Sequence, residues 1–539
     1  MLLYFYITMG IPSYFSYIIK NYSNIIRNCK QIADESVCFQ YLYMDCNSII
    51  YDEFRKLEEE IAKDIISVED LEKVLIQNII SKISHYIEYV KPESLVYIAF
   101  DGVAPFAKMN QQRNRRHKNG IIKHIQDHIS KDSKPSIWST SNITPGTNFM
   151  NELSLKIKKA FSNLESHFKV KKIIVSGSDQ PGEGEHKMFQ HIRNNKNKIS
   201  GNAVIYGLDS DLIMLSLFHC QYFQQMYIFR ETPEFGKQLI EQSNKSEYMF
   251  LDIPNFSKAI LTEMNCDVYD HHRLYDYIFM CFFLGNDFLP HFPSLNIRTN
   301  GIDILLDLYR SQLGKHKQRT FISSDLQIQW KWVYAFVNEL AKNEHNRIIN
   351  EYDVKMKFTK RNWGVGNEKD RDFLVQSVPV IYKPEENYIS PQHHYWEMRY
   401  YKSLFNENVD TRDVCMNYIE GLEWVFRYYT DDCPDWKWNY QHHYPPLFKD
   451  LCKHIPQKNG YIISANSKPF SPFVQLAYVL PKSNHGLLPE YIEDVLSTTN
   501  YYNGQTKYQW AFCRYFWEAH AILPTIPMNV LEKWDDDWK

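Results

Sequence analysis

AVIYGLDSDLIML, Ala203 to Leu215, decides the fold. Its first four residues form a β-type apolar run, a glycine breaks it, and Asp209 and Asp211 then precede a second apolar run of helical character. Two other stretches have the same form. YLYMDCNSII brings Asp45 to the end of the run Tyr41 to Met44, and VYIAFDGVAP brings Asp101 to the end of the run Leu95 to Phe100. Strand, acid and helix in repetition mark an α/β domain with a mostly parallel central sheet flanked by helices. The acids then collect at the carboxyl ends of strands, the edge at which open α/β sheets bind ligands. PGEGEHK, after the strand-like Lys172 to Ser176, adds Glu183 and Glu185, and CFFLGNDFLPHFPSL adds Asp287.

Seven carboxylates at one edge repel one another and raise each other's pKa unless a divalent cation neutralises them; carboxylate and water are the ligands of Mg²⁺ or Mn²⁺. The pairs Glu183/Glu185 and Asp209/Asp211 have i, i+2 spacing, which on a helix would turn them about 160° apart. The first acid of each pair therefore belongs to a turn or strand end and the second to the first helical turn, where both can face one pocket. A lone acid at a helix start is simply a cap; seven in this arrangement form a metal site. Two cations roughly 3.5 to 4 Å apart would suit phosphodiester hydrolysis, one generating hydroxide and the other stabilising the leaving oxygen.

After Asp101 comes DGVAPFAKMNQQRNRRHK, which is helical in composition beyond Pro105. Lys108, Gln112, Arg115 and Arg116 stand at i, i+4, i+7 and i+8, so one helix face presents an amine, an amide and two guanidiniums. Such a face suits a terminal phosphate, which arginine binds in bidentate fashion.

Composition narrows the remaining classes. A chain of 539 residues, 44% hydrophobic, is globular and long enough for a large lobe with a second packed against it. The net charge of −3 does not by itself point to nucleic acid, so that partner rests on the local basic helix. Ten scattered cysteines without a CxxC pair read as reduced thiols, and no run reaches membrane-spanning length. MLLYFYITM lacks a basic leader and a cleavage site, and Tyr14 stands where myristoylation from Gly10 would need Ser or Thr, so neither a secretory leader nor a lipid anchor is expected. A cytoplasmic protein is expected. Neither GxxxxGK[ST] nor GxGxxG occurs, so no nucleotide cofactor is expected. The pairs His271/His272, His393/His394 and His442/His443 lack zinc-like companions and read as packing or surface residues. From about 310 to 390 the composition turns polar, and only the piece around Trp330 to Leu340 reads as firmly helical.

These motifs resemble those of the XRN-type 5′-to-3′ exoribonucleases. The resemblance starts at MGIPSYF (from Met9) and runs through MDCNSII, DGVAPFAKMNQQRNRR, NITPGTNFM, GSDQPGEGEHK, YGLDSDLIML and CFFLGNDFLPHFPSLNIR. It resumes in WEMRYYK, EGLEWVFRYYTDDCPDWKWNYQHHYPP and SPFVQLAYVLPKSNHGLLPE. It implies a catalytic domain over 9–310 with a core like that of PIN and flap nucleases, a helical connecting region over 311–390, and a second conserved region over 391–539 that packs against the first and supports the active site. It also implies a processive, Mg²⁺- or Mn²⁺-dependent hydrolase of single-stranded RNA with a 5′ monophosphate, releasing mononucleotides in RNA decay. Asp45, Asp101, Glu183, Glu185, Asp209, Asp211 and Asp287 match the family's catalytic metal positions, and Lys108, Gln112, Arg115 and Arg116 its 5′-phosphate pocket. A histidine and a tryptophan of the family stack on the first bases. Tyr51 stands at the histidine's place, and DWKWNY offers Trp436 or Trp438 for the other. Relative to the large cytoplasmic members the chain reads as a catalytic core without their long carboxyl-terminal extension. Two other readings compete: a flap-type structure-specific endonuclease, and a catalytically silent RNA-binding scaffold that would have no reason to keep seven repelling acids.

Overall fold

The computed structural model describes residues 11, 13–61, 67, 69–129, 138–233, 247–360, 363–364, 366–405, 408–464 and 467–539. Met9, Gly10 and the eight residues before them lie outside the described residues. A seven-stranded sheet is built from β1 (Ile26–Arg27), β2 (Tyr41–Asp45), β3 (Leu95–Ala99), β4 (Lys172–Ser176), β5 (Asn202–Tyr206), β6 (Gln225–Glu231) and β7 (Tyr248–Asp252). The spatial order is β1-β7-β6-β5-β2-β3-β4. The five strands from β2 to β6 run parallel, and β7 and β1 close one edge antiparallel.

Alternation along each strand splits the interior in two. On β2, β3, β5, β6 and β7 the residues Tyr43, Tyr97, Ile205, Ile228 and Leu251 enter one core, while Met44, Ile98, Tyr206, Phe229 and Phe250 enter the other. Period-two side-chain placement on strands buried on both faces produces this division. The second core is covered by the helices Asn47–Ile61, Leu71–Val90 and Asn148–Ala160. Leu71–Val90 is the helix its three- and four-residue apolar spacing demands: Leu75, Ile79, Ile83 and Ile87 are buried, and the helix stops at Lys91, in a left-handed conformation, before Pro92.

The first core extends far beyond the sheet. The helices Gly184–Asn195, Asp211–His219, Ile253–Glu263 and Arg273–Cys281 contribute to it, and so do Trp330, Phe336, Trp424, Phe426 and Phe448 from the carboxyl-terminal half. The second lobe therefore shares one continuous apolar interior with the sheet domain. The expectation of a single firm helix between 310 and 390 is corrected: besides Trp330–Lys342 the chain forms Glu344–Thr359, Glu368–Gln376, Val378–Ile381 and Pro384–Ile389. Their polar composition hides sparse apolar anchors such as Ile348, Tyr352 and Ile389, which are buried against Trp396, Tyr400 and Leu404. Glu344 is also buried, accepting the backbone N–H of Phe448 at 2.9 Å. The ten cysteines stand as free thiols, and no helix of the described residues is long and apolar enough to cross a membrane.

The chain reverses its direction of travel across the sheet at β2. From there it proceeds outward through β3 and β4, then returns to place β5 on the other side of β2. That reversal opens a crevice at the carboxyl ends of β2 and β5, the position at which open α/β sheets bind ligands.

Candidate active site

Register brings the acids together. Asp45 pairs with Ala99 across β2 and β3, so Asp101 lies two residues beyond the same level, and Met44 pairs with Tyr206, placing Asp209 just past the end of β5. Glu183 occupies the N-cap position of Gly184–Asn195 in extended conformation, Glu185 lies in its first turn, and Asp211 begins the helix Asp211–His219. This is the turn-then-helix arrangement that i, i+2 spacing requires. Glu183 makes no capping bond to its own helix, so the simple cap is excluded.

Three of the acids converge: ligating oxygens of Asp45, Glu185 and Asp209 lie within 4.8 Å of one another. Asp101 is fixed by its backbone, its N–H donating to Asn47 Oδ1 at 3.1 Å, and its Oδ1 accepts the N–H of Gly184 at 2.7 Å. Burial, then Asp101 and Asp209, hold the Asp45 carboxyl well above its ordinary range. Burial and Glu183 do the same to Glu185, and burial and Asp287 to Asp211. Desolvation pushes Asp209 up to about 6, with Lys108 opposing and Asp287 adding. The oxygens Glu185 Oε2 and Asp211 Oδ1 are buried without a hydrogen-bond partner. Unpartnered buried carboxylate oxygens held together at this cost fit a hard divalent cation.

Lys108 is the cation already inside the cluster. Its Nζ lies 2.5 Å from Glu183 Oε1 and 2.7 Å from Asp287 Oδ2, with all three side chains buried. Burial alone would lower this ammonium, but Asp287, Glu183 and Glu185 hold it well above its ordinary value. Lys187 fixes the floor beneath: its buried ammonium donates to Phe100 O at 2.8 Å and Gly177 O at 2.7 Å, tying the ends of β3 and β4 together.

A small pocket of about 50 Å³ unites the two residue sets read from the sequence. Its lining includes Asp45, Asp101, Glu183, Glu185 and Asp209 together with Lys108, Gln112, Arg115, Arg116 and Tyr51. Tyr51, Arg115, Arg116 and Asp209 also line a cavity of about 2520 Å³, which therefore adjoins the pocket. Asp287 lines the large cavity, and Asp211 sits behind, below the surface. Arg116 is braced by Thr144, its Nη2 donating to Oγ1 at 2.5 Å, and burial lowers the guanidinium to about 10. Gln112 Oε1 is buried and unpartnered.

The two tryptophans of DWKWNY are placed differently from Tyr51, and neither lines the pocket or the cavity. Trp438 is buried and stacks on Trp424 at 5.3 Å, while Trp436 packs half-buried against the core and accepts the Phe106 N–H on its carbonyl at 2.8 Å. That carbonyl seats the start of the basic helix Phe106–Ile129. Further along, Asn110 accepts from Tyr478, Lys118 donates to Trp517 O at 2.7 Å, and Asn114 accepts the Ala521 N–H.

Motif reading missed two tyrosines. In the helix Thr411–Thr430, the Tyr428 hydroxyl donates to Glu183 Oε2 at 2.8 Å, and burial, then Asp211, holds the neighbouring Tyr429 phenol well above its ordinary pKa. Only the doubled aromatic of EGLEWVFRYYTDD could have drawn attention to them.

Most of the chain is similar to known proteins. Residues 9–232 match the family model described as "XRN 5'-3' exonuclease N-terminus", and residues 268–387 and 385–533 match "Xrn1 helical domain". The chain is 27% identical to 5'-3' exoribonuclease 1 of Saccharomyces cerevisiae, over 89% of this chain and 40% of that protein. It is 27% identical to 5'-3' exoribonuclease 1 of Homo sapiens, over 96% and 33%. To the 5'-3' exoribonuclease 2 homolog of Drosophila melanogaster it is 26% identical, over 97% and 70%. The chain thus spans less than half the length of the yeast and human relatives. With six of the seven strands and all seven acids inside the matched residues, the chain belongs to the XRN 5′-3′ exonuclease family.

Proposed function

We propose that the chain is a processive 5′-to-3′ exoribonuclease that hydrolyses single-stranded RNA bearing a 5′ monophosphate, with Mg²⁺ or Mn²⁺, and serves in cytoplasmic RNA decay. The observation that carries this reading is the shared pocket of about 50 Å³, lined both by three converging carboxylates and by Gln112, Arg115 and Arg116. Asp45, Glu185 and Asp209 would hold one ion, with Asp101, Glu183, Asp211 and Asp287 available around a second. Bound there, the metal would supply an activated water and neutralise charge on the leaving oxygen.

The chain's own side chains do the rest. Arg115 and Arg116 bind the terminal phosphate by charge-assisted hydrogen bonds, and Lys108 sits between that phosphate and the acids. A pocket closed around one phosphoryl group would exclude a cap or a triphosphate. Tyr51 offers a ring to the first base at the mouth of the pocket, a contact worth roughly 1–3 kcal/mol. With the 5′ end anchored, the phosphodiester one nucleotide downstream is the bond brought to the acids, and release of a mononucleotide frees the pocket for the next phosphate.

The test is a time course on 3′-labelled single-stranded RNA carrying a 5′ monophosphate, a 5′ triphosphate or a cap, with Mg²⁺ or EDTA, for the wild type and Asp209→Ala. Metal-dependent loss of the monophosphate substrate alone, without ladder intermediates and absent in Asp209→Ala, is the expected result. Internal cuts regardless of end chemistry would replace this reading with an endonuclease, and binding without cleavage would replace it with a silent scaffold.

A further inference from the structure

The helix Thr411–Thr430 ends on the metal-site acids although it belongs to the other lobe. Glu183, His186, Gln190 and Arg193 follow three- and four-residue steps, so they share one face of the helix beginning at Gly184. Each is met from the same direction. Tyr428 donates to Glu183 Oε2 at 2.8 Å and stacks on the His186 ring at 4.4 Å with 3° between planes. Asp432 accepts from Gln190 at 2.8 Å and lies 3.7 Å from Arg193 Nη2. Behind Tyr428 the stack continues through Trp424, at 4.9 Å, to Trp438. The hydroxyl of Tyr428 is therefore located by a ring column and not by a mobile side chain.

Lys108 holds Glu183 Oε1 while Tyr428 holds Oε2, so the orientation of this carboxylate is determined from both sides. At Asp211 one oxygen, Oδ1, is left without a partner. Hydrogen bonds from outside a ligand set commonly fix which oxygen a carboxylate offers to an ion.

We propose that Tyr428 is a positioning residue: a clamp by which the second lobe, acting opposite Lys108, aims Glu183 at the ion site. This rests on the metal-nuclease reading above and adds a specific dependence of that site on the other lobe. The clamp does not touch RNA. Its loss should change ion affinity and leave the anchoring of the 5′ phosphate alone.

Tyr428→Phe removes only the hydroxyl and keeps the ring. Mn²⁺ binding is measured by titration calorimetry without RNA, and binding of 5′-phosphorylated RNA is measured in EDTA, alongside thermal melting. Mn²⁺ affinity about 10-fold lower in the variant, with RNA affinity within twofold of the wild type, is expected. Activity at saturating Mn²⁺ should recover toward the wild-type value. Unchanged Mn²⁺ affinity, or a lowered melting temperature as the only effect, would overturn the clamp while leaving the nuclease reading standing. A wild-type protein that bound no Mn²⁺ would overturn both.

Discussion

Gly184 lies so close to Asp45 that a β-carbon on the glycine would stand 2.5 Å from Asp45 Oδ1 and 3.5 Å from Asp101 Oδ1. The backbone N–H of the same residue donates to Asp101. The glycine between the two glutamates of PGEGEHK therefore lets the helix start approach the strand-end acids closely enough for both helix and strands to serve one site. Gly184→Ala should displace Asp45, weaken Mn²⁺ binding about 10-fold or more and lower turnover with it. Calorimetry and single-turnover cleavage would check this, and wild-type Mn²⁺ affinity in the variant would contradict it.

Lys108→Met should be costly to the fold. It leaves Glu183 and Asp287 buried without their ammonium, and breaking a buried pair by removing one partner costs about 3–5 kcal/mol. Glu183 is already raised by burial, and Lys108 is the charge that opposes this, so the variant raises it further. An acid whose folded pKa lies above its unfolded one stabilises the fold at low pH and loses that contribution as pH rises. The melting-temperature deficit of Lys108→Met should accordingly be smallest in acid and largest at neutral pH. A pH-independent deficit would exclude this account.

The ion-free wild type should show a related dependence. Asp209 rises from its ordinary 3.8 to about 6, and Asp45, Glu185 and Asp211 move in the same direction. In EDTA the melting temperature should fall as pH is raised from about 4 through 6, while the stabilisation given by added Mn²⁺ grows over the same range as protons leave the ligands. A scan of melting temperature against pH with and without Mn²⁺ reads both slopes.

Arg115 and Arg116 together should determine the choice of RNA end. Charge-assisted bonds contribute about 1.5–3 kcal/mol each, so the double change to Gln should raise KM for 5′-monophosphorylated RNA by about 100-fold or more and barely alter that for 5′-hydroxyl RNA. Competition between the two RNAs measures the preference directly. Preference retained in the double variant would remove these guanidiniums from end recognition.

The parallel sheet and the placement of acids at its carboxyl edge were readable because their determinants are local. Five-residue apolar runs ending near an aspartate, and acid pairs spaced two apart, constrain the backbone within a dozen residues. The face shared by Lys108, Gln112, Arg115 and Arg116 was likewise a matter of helical period. What local pattern could not resolve was where each side chain ends. Lys108 and Arg116 share a helix face, yet Lys108 is drawn between Glu183 and Asp287 while Arg116 rests on Thr144.

By itself the sequence determined an α/β core, a carboxylate-rich edge and a basic helix beside it, since strand and helix periods register over short windows. Only the tertiary structure decided that Trp438 stacks beneath Trp424, that the polar stretch after Lys342 is helical, and that Tyr428 reaches Glu183 across 245 residues of chain. A contact at that separation leaves no trace in local composition. It exists because two lobes bury one continuous apolar interior, and burial fixes the position of every polar group at their boundary.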